Sequence, residues 1–225
     1  MDFDAIQAFV RSQVGQPTGA SGLPDPYLES IINIAQKEIC RYTLALCAED
    51  AGEALTTDVA EYSLSSNWFK TRFVRYSDGG GVYRKLTSIS LEEYYSKENI
   101  YSGYTCKYAI NTATKKIVFY PTPSSSTHTY THFYVVIPTD LSSGSDIPFN
   151  GDARLAAYHM MVADLAIKLY MGKKDKIPSD DIVNSFIPRM DVMKRELSPV
   201  TGRSYTVERR GRTANRNRPR FPSGY

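Results

Sequence analysis

Residues 27–48, YLESIINIAQKEICRYTLALCA, set the architecture. Leu28, Ile31, Ile32, Ala35, Ile39, Tyr42 and Leu46 recur at a 3.6-residue spacing, so one face of a helix of more than five turns is apolar. Such a stripe has to be buried against other elements. Upstream, residues 3–14 (FDAIQAFVRSQV) place Ile6, Phe9, Val10 and Val14 on a second stripe that Gly15 ends. Between the two helices runs QPTGASGLPDP, whose three prolines make it a loop.

Downstream the period changes. From Thr56 to about Leu141, the segments TDVAEYSL, WFKTRFVRYS and VYRKLTSIS are rich in aromatic and β-branched residues and are separated by polar or glycine turns. KYAINTATKKIVFYPTP reads as two strands around a short turn, and THTYTHFYVVIP as another strand that begins with strict alternation. LEEYYSK near residue 91 reads as one helical turn. The whole predicts a small antiparallel sheet or barrel of five or six strands.

Helix returns after Asn150-Gly151-Asp152, where the side chains can cap. RLAAYHMMVADLAIKLYMG is apolar nearly all round. Ala153, Ala156, Ala157, Ala163 and Ala166 permit a close neighbour, Asp164 and Lys168 pair on its wet edge, and Gly172 stops it. A last helix starts at Pro178-Ser179-Asp180-Asp181 and presents Ile182, Phe186, Met190, Met193 and Leu197, with Asp191 and Arg195 paired outside. Pro188 predicts a kink or break in it. The expected fold class is therefore α+β: a helical bundle with an inserted small antiparallel β domain and an extended C-terminal arm. Its divisions are residues 1–54 (N-terminal helices), 55–148 (β-rich insertion), 149–200 (C-terminal helices) and 201–225 (arm).

The arm, TGRSYTVERRGRTANRNRPRFPSGY, has no apolar run that offsets its ordering entropy, and at ~3.3 Å per residue it spans up to ~80 Å. It holds Arg203, Arg209, Arg210, Arg212, Arg216, Arg218 and Arg220, seven of the chain's 27 basic residues, and one of its 24 acids. The remainder, with 20 bases and 23 acids, is net negative. That argues against a broad nucleic-acid face on the body and marks the seven arginines as the candidate partner-binding residues.

Candidate chemistry is sparse. Gly79-Gly80-Gly81 lacks the Lys-Ser/Thr of a phosphate loop and reads as a turn. His128 and His132 share one face of a strand, half exposed, without further Cys or His ligands, so no metal is expected. His159 reads as a hydrogen-bonded core or interface histidine. Glu92, Glu93, Asp140, Asp146, Asp152, Asp180 and Asp181 fall among turns and caps. No catalytic residues, cofactor or reaction are expected. Cys40 and Cys47, seven apart on the long helix, and Cys106 are expected buried and reduced. The first residues lack a signal-peptide pattern, and no apolar run approaches the ~20 residues of a membrane span. Many of the 17 tyrosines fall in the strand region (Tyr83, Tyr94, Tyr95, Tyr101, Tyr104, Tyr108, Tyr120, Tyr130 and Tyr134). They suit sheet propensity and also a protein-facing surface.

The helix LESIINIAQKEICRYT, then TTDVAEYSLSS, then KIVFYPTPSS, then HFYVVIPTDL, then PFNGDARLAAYHMMVADLAIKLY resemble, in this order, the head-to-tail adaptor proteins of tailed bacteriophages. An INxAQ-like helix opens that family's fold, a YxLP-like strand begins its sheet, and an IxxYPxP turn, here IVFYPTP, ends a late strand. The resemblance covers roughly residues 28–170. It implies a structural virion protein of the neck, made in the bacterial cytoplasm. Its copies form a ring, commonly of twelve, beneath the portal protein, extend the DNA channel and offer a platform to the downstream tail or nozzle protein. Channel DNA would be touched weakly and without sequence preference, and no membrane is involved. A second reading takes the basic tail at face value, as that of a nucleic-acid-binding protein.

Overall fold

The computed structural model describes residues 1–15, 25–80, 82–97 and 102–197. The seven arm arginines, Gly81 and Tyr101 lie outside the described residues. Helix α1 (Phe3–Gln13) starts at Asp2, whose carboxylate accepts from the Ala5 N–H, and Gly15 follows its end at φ +66°. It buries Phe3, Ile6 and Val10. Helix α2 (Asp25–Thr43) ends five residues before the expected Ala48. Leu44 turns left-handed at φ +54°, its carbonyl accepts from Arg72 Nη2, and strand β1 (Cys47–Ala54) begins. Cys40 and Cys47 are therefore on different elements. Cys40 is buried among the helices, where desolvation pushes its thiol up to about 12. Cys47 is half-buried and Cys106 exposed, contrary to the expectation for both.

The strands that follow are β2 (Glu61–Ser63), β3 (Trp68–Ser77), β4 (Tyr83–Lys85) and β5 (Thr87–Ser88). After the single turn α3 (Leu91–Tyr95) come β6 (Ser102–Gly103), β7 (Lys107–Asn111), β8 (Lys116–Tyr120), β9 (Thr122–Pro123) and β10 (Thr129–Val136). Among the described residues this is more than the five or six strands expected, because segments of two or three residues are too short to show a period. They form an antiparallel sheet β1-β10-β3-β4, a sheet β2-β8-β7-β5 whose β5–β7 pair is parallel, and a parallel pair β6–β9. Val74, Tyr76 and Tyr130 of the first sheet pack with Tyr108, Ile117 and Phe119 of the second. The two sheets thus share one apolar layer.

After β10 the chain makes two 3-10 segments, Phe149–Gly151 and Ala153–Tyr158, with the Asp152 carboxylate capping the Arg154 N–H. Helix α4 (His159–Lys174) follows, so the first turns expected to be α-helical are 3-10 instead. Gly172 does not stop α4. It lies buried inside it, and a Cβ there would come within 2.0 Å of Ile182 Cδ1, so the glycine lets the next helix approach. Ala163 and Ala166 are buried, whereas Ala153, Ala156 and Ala157 are exposed. Helices α5 (Ser179–Ser185) and α6 (Ile187–Leu197) break at Phe186, two residues before Pro188, which has no N–H to give the Asn184 carbonyl and instead sits in the first turn of α6, where none is needed. Two surface pairs differ from expectation. Asp164 meets Arg189 of α6 at 2.9 Å, and the Asp191 carboxylate accepts from the Tyr42 hydroxyl at 2.9 Å while Arg195 Nε reaches the Asp191 carbonyl.

The helices share a core that includes Ile6, Leu28, Ile32, Ala35, Val162, Leu165 and Met190, and β10 contributes Tyr134 and Val136 to it. Inside this apolar volume two amides of α2 hold the segment after β10. Asn33 Nδ2 donates to the Leu141 carbonyl at 3.0 Å, and its Oδ1 accepts from the Leu141 N–H at 2.8 Å. Gln36 Nε2 donates to Asn33 Oδ1 and to the Thr139 carbonyl, and its Oε1 accepts from the Phe149 N–H at 3.3 Å. Both side chains are buried, so each bond is made where water does not compete. Replacing Asn33 with alanine strands both polar groups of Leu141 and one of the two N–H groups of the Gln36 amide. The variant should lose about 2–4 kcal/mol in urea unfolding, and a loss below about 1 kcal/mol would show that the amides merely fill space.

Candidate docking surfaces

The histidines are structural in their surroundings. His128, just before β10, and His132, within it, are both buried, so neither lies on the half-exposed face expected. His128 Nδ1 is bonded to the Tyr76 hydroxyl, and its ring stacks on exposed Tyr104 at 5.8 Å. His132 Nε2 lies 2.9 Å from Thr71 Oγ1, and its ring stacks on Tyr134, whose hydroxyl donates to Asp50. Burial pulls His132 down to about 4, against the opposing charge of Asp50. His159 is buried, with Nδ1 3.1 Å from the Met1 amine, and burial followed by that positive charge lowers its pKa. Among the described residues no three His, Cys, Asp or Glu side chains gather as a metal site.

Several of the carboxylates expected in turns and caps have partners. Glu93 pairs with Lys97 and Lys107, and Asp140 with Lys37. Asp146 accepts from the Ser142 and Ser143 N–H groups, which hold its carboxyl below the usual range. Gly79, at φ +84°, and Gly80 form the turn between β3 and β4. Of the strand-region tyrosines, Tyr94, Tyr108, Tyr130 and Tyr134 are core, and Tyr83, Tyr95 and Tyr104 are exposed.

What remains at the surface is suited to contact. A cavity of about 540 Å³ opens where α2, α4 and the turn into α5 meet, lined by Tyr27, Ile31, Ile34, Leu169, Lys173 and Ile177. Ile34 and Ile177 are exposed, and Lys173 Nζ sits over the Tyr27 ring at 4.5 Å. The second surface is the outer face of the β1-β10-β3-β4 sheet. Phe73 and Phe133 stack at 4.3 Å, Arg75 lies over Tyr83 at 4.5 Å and over Phe133 at 5.5 Å, and Lys85 lies over Phe73 at 5.4 Å. Arg75 of β3 and Lys85 of β4 are thus laid on aromatic rings. Reading the strands one by one could not assemble this array, because Phe133 is 60 residues from Phe73 in the chain.

A family model described as SU10 adaptor protein matches residues 1–204. The chain belongs to the SU10 adaptor family. This is a family of phage head-to-tail adaptors, so the resemblance seen in the motifs holds and extends beyond residues 28–170 at both ends. Comparison with curated proteins gives no match. Six of the adaptor's seven arm arginines, from Arg209 onward, lie past the matched residues. No described helix is long and apolar enough to cross a membrane.

The clamp explains why two of the motifs sit in one chain. INIAQ (residues 32–36) supplies Asn33 and Gln36, and PTDL (138–141) supplies the Thr139 and Leu141 backbone that they hold. The INxAQ pattern contains both amides, but the helical spacing that marks its apolar stripe carries no signal of the backbone groups they bond.

The adaptor should also be destabilised by acid through His132. An unfolded histidine takes up a proton below about pH 6.5, whereas His132 stays neutral in the fold down to about 4. Its contribution is therefore complete above pH 6.5 and lost as pH falls toward 4, by up to about 3 kcal/mol. Comparing urea midpoints at pH 7 and pH 4.5, His132→Gln should show the smaller drop, and an equal drop would mean that other groups carry the acid sensitivity.

Proposed function

We propose that this adaptor acts by assembly alone, as a ring of copies, commonly twelve, beneath the portal in the virion neck, where it extends the DNA channel and receives the tail or nozzle protein. The observation that carries this reading is the family match over residues 1–204. The division into a helical bundle (1–54 and 149–200), a β insertion (55–148) and an arm (201–225) belongs to the same reading. In it the helices dock beneath the portal and the β insertion lies outward or toward the tail.

Arg203, Arg209, Arg210, Arg212, Arg216, Arg218 and Arg220 then serve as an assembly arm that orders against a protein partner, a neighbouring copy or the portal. The net-negative charge of the remainder favours a protein partner, with channel DNA a weak, non-specific contact. The second reading, affinity for nucleic acid through the tail, draws on the same seven arginines.

Co-sedimentation of the full chain and of residues 1–200 with portal rings of the same phage tests the arm. The full chain should bind and the truncation should bind at least tenfold more weakly. Equal binding removes the arm's role, and no binding by the full chain removes the placement beneath the portal. If the tail instead confers tight duplex-DNA binding, with a log–log salt slope approaching about −6 for seven phosphate contacts, the nucleic-acid reading gains.

A further inference from the structure

The two outer strands of the sheet β1-β10-β3-β4 carry opposite charge. Strand β1, CAEDAGEA, has Glu49, Asp50 and Glu53 and no base. At the other edge β4 is Tyr83-Arg84-Lys85, and its neighbour β3 adds Lys70, Arg72 and Arg75. From Trp68 to Lys85 the only acid is Asp78, in the turn. Three strand spacings, roughly 14 Å, separate the two edges.

The side chains at these edges are available. Glu49, Glu53, Arg84 and Lys85 are exposed, and none forms an ion pair with another described residue. Asp50 turns inward to the Tyr134 hydroxyl and Arg72 is spent on the Leu44 carbonyl, so neither counts. The basic edge is also held in shape. Lys85 rests on Phe73, Arg75 is held between Tyr83 and Phe133, and Arg75 faces Lys85 directly across the ladder. On the acidic side Glu49 lies in register with Phe133 and so in line with the Phe73–Phe133 stack.

Charges on sheet edges commonly guard against strand pairing, and the register shift between Asp50 and Glu53 with Gly52 at φ +70° blunts β1 in that way. A guard has no need to sort its charges by sign, because either sign serves. Sorting matters when one edge meets the other edge of an identical chain. Such a contact joins two different patches, so it is heterologous and repeats from copy to copy until the rotation closes.

We infer that the occupant of the basic β4 edge is a second copy of this chain, with Arg84 and Lys85 of one copy against Glu49 and Glu53 of the next. The bulge in β1 makes this a side-chain contact and not a continuous sheet. The inference rests on the ring reading above and names the surfaces through which the ring closes.

Charge reversal tests it. R84E/K85E has two acidic edges and E49K/E53K two basic ones, and both should keep the wild-type circular-dichroism spectrum and melt within a few degrees of wild type, since the four side chains are exposed and, among the described ring contacts, only Lys85–Phe73 is lost. By mass photometry each variant alone should lose at least tenfold of its assembled fraction. An equimolar mixture of the two should recover it, as should the fourfold swap in one chain. Assembly by either variant alone at the wild-type level, or no recovery on mixing, overturns the interface and leaves the ring reading standing. A wild-type chain that stays monomeric at every concentration, with or without portal rings, overturns both. If R84E/K85E assembles normally but loses binding to a 30-base-pair duplex, the basic edge is a DNA surface and the inference is wrong.

Discussion

Two buried amides on helix α2 fix the path by which the chain returns from the sheet to the helices. Asn33 and Gln36 take up backbone groups of Thr139, Leu141 and Phe149 in the segment that leads from the sheet back to the helices. That segment has no strand or helix of its own between Val136 and Phe149. Its backbone groups join no ladder after Ile137, so the start of α1 takes up the Gly144 and Asp146 carbonyls, and the side chains of Asn33, Gln36 and Asn150 hold the backbone groups of Thr139 and Leu141. A hydrogen bond is worth little over its exchange with water, but an unmade one in a buried site costs the full desolvation of the orphaned group. The clamp is therefore less a source of stability than a condition for this path of the chain.

Strand β10 makes that path consequential. Its Tyr130 packs in the layer between the two sheets, while Tyr134 and Val136 pack among the helices. One strand is thus built into both cores, and the orientation of the sheet relative to the helices follows from side chains on a single pleat. The charged edges β1 and β4 inherit that orientation. For a member of a head-to-tail adaptor family, the direction in which a sheet edge points decides which neighbour it can meet.

Much of the architecture was legible because long segments carry a clear period. The stripes of α1 and α2 and the aromatic and β-branched run of Trp68–Ser77 appear where their residues place them. The rest failed for identifiable reasons. Cys47–Ala54 contains no β-branched or aromatic residue and is a strand because β10 pairs with it, which overrides propensity. Gly172 looks like a stop when α4 is read alone and is a point of close approach once Ile182 is present. Asp164 has Lys168 one turn away, yet the geometry brings Arg189 of α6 to it instead. His128 and His132 looked half exposed because alternation was read along one strand, whereas in the fold Tyr76 and Tyr104 flank the first and Thr71 and Tyr134 the second.

The α+β class, the helix stripes and, through short motifs in order, the adaptor family could be read along the chain. These are local properties, set by spacing along the chain. Packing in three dimensions is what lets the amides of INIAQ grip the backbone of PTDL and brings Phe73, Phe133, Arg75 and Lys85 into one array. It also decided that acids and bases sort to opposite edges of a single sheet. The physical reason is that strand order and register, with pairing partners more than 50 residues apart, determine which side chains become neighbours. No spacing within the chain encodes that choice on its own.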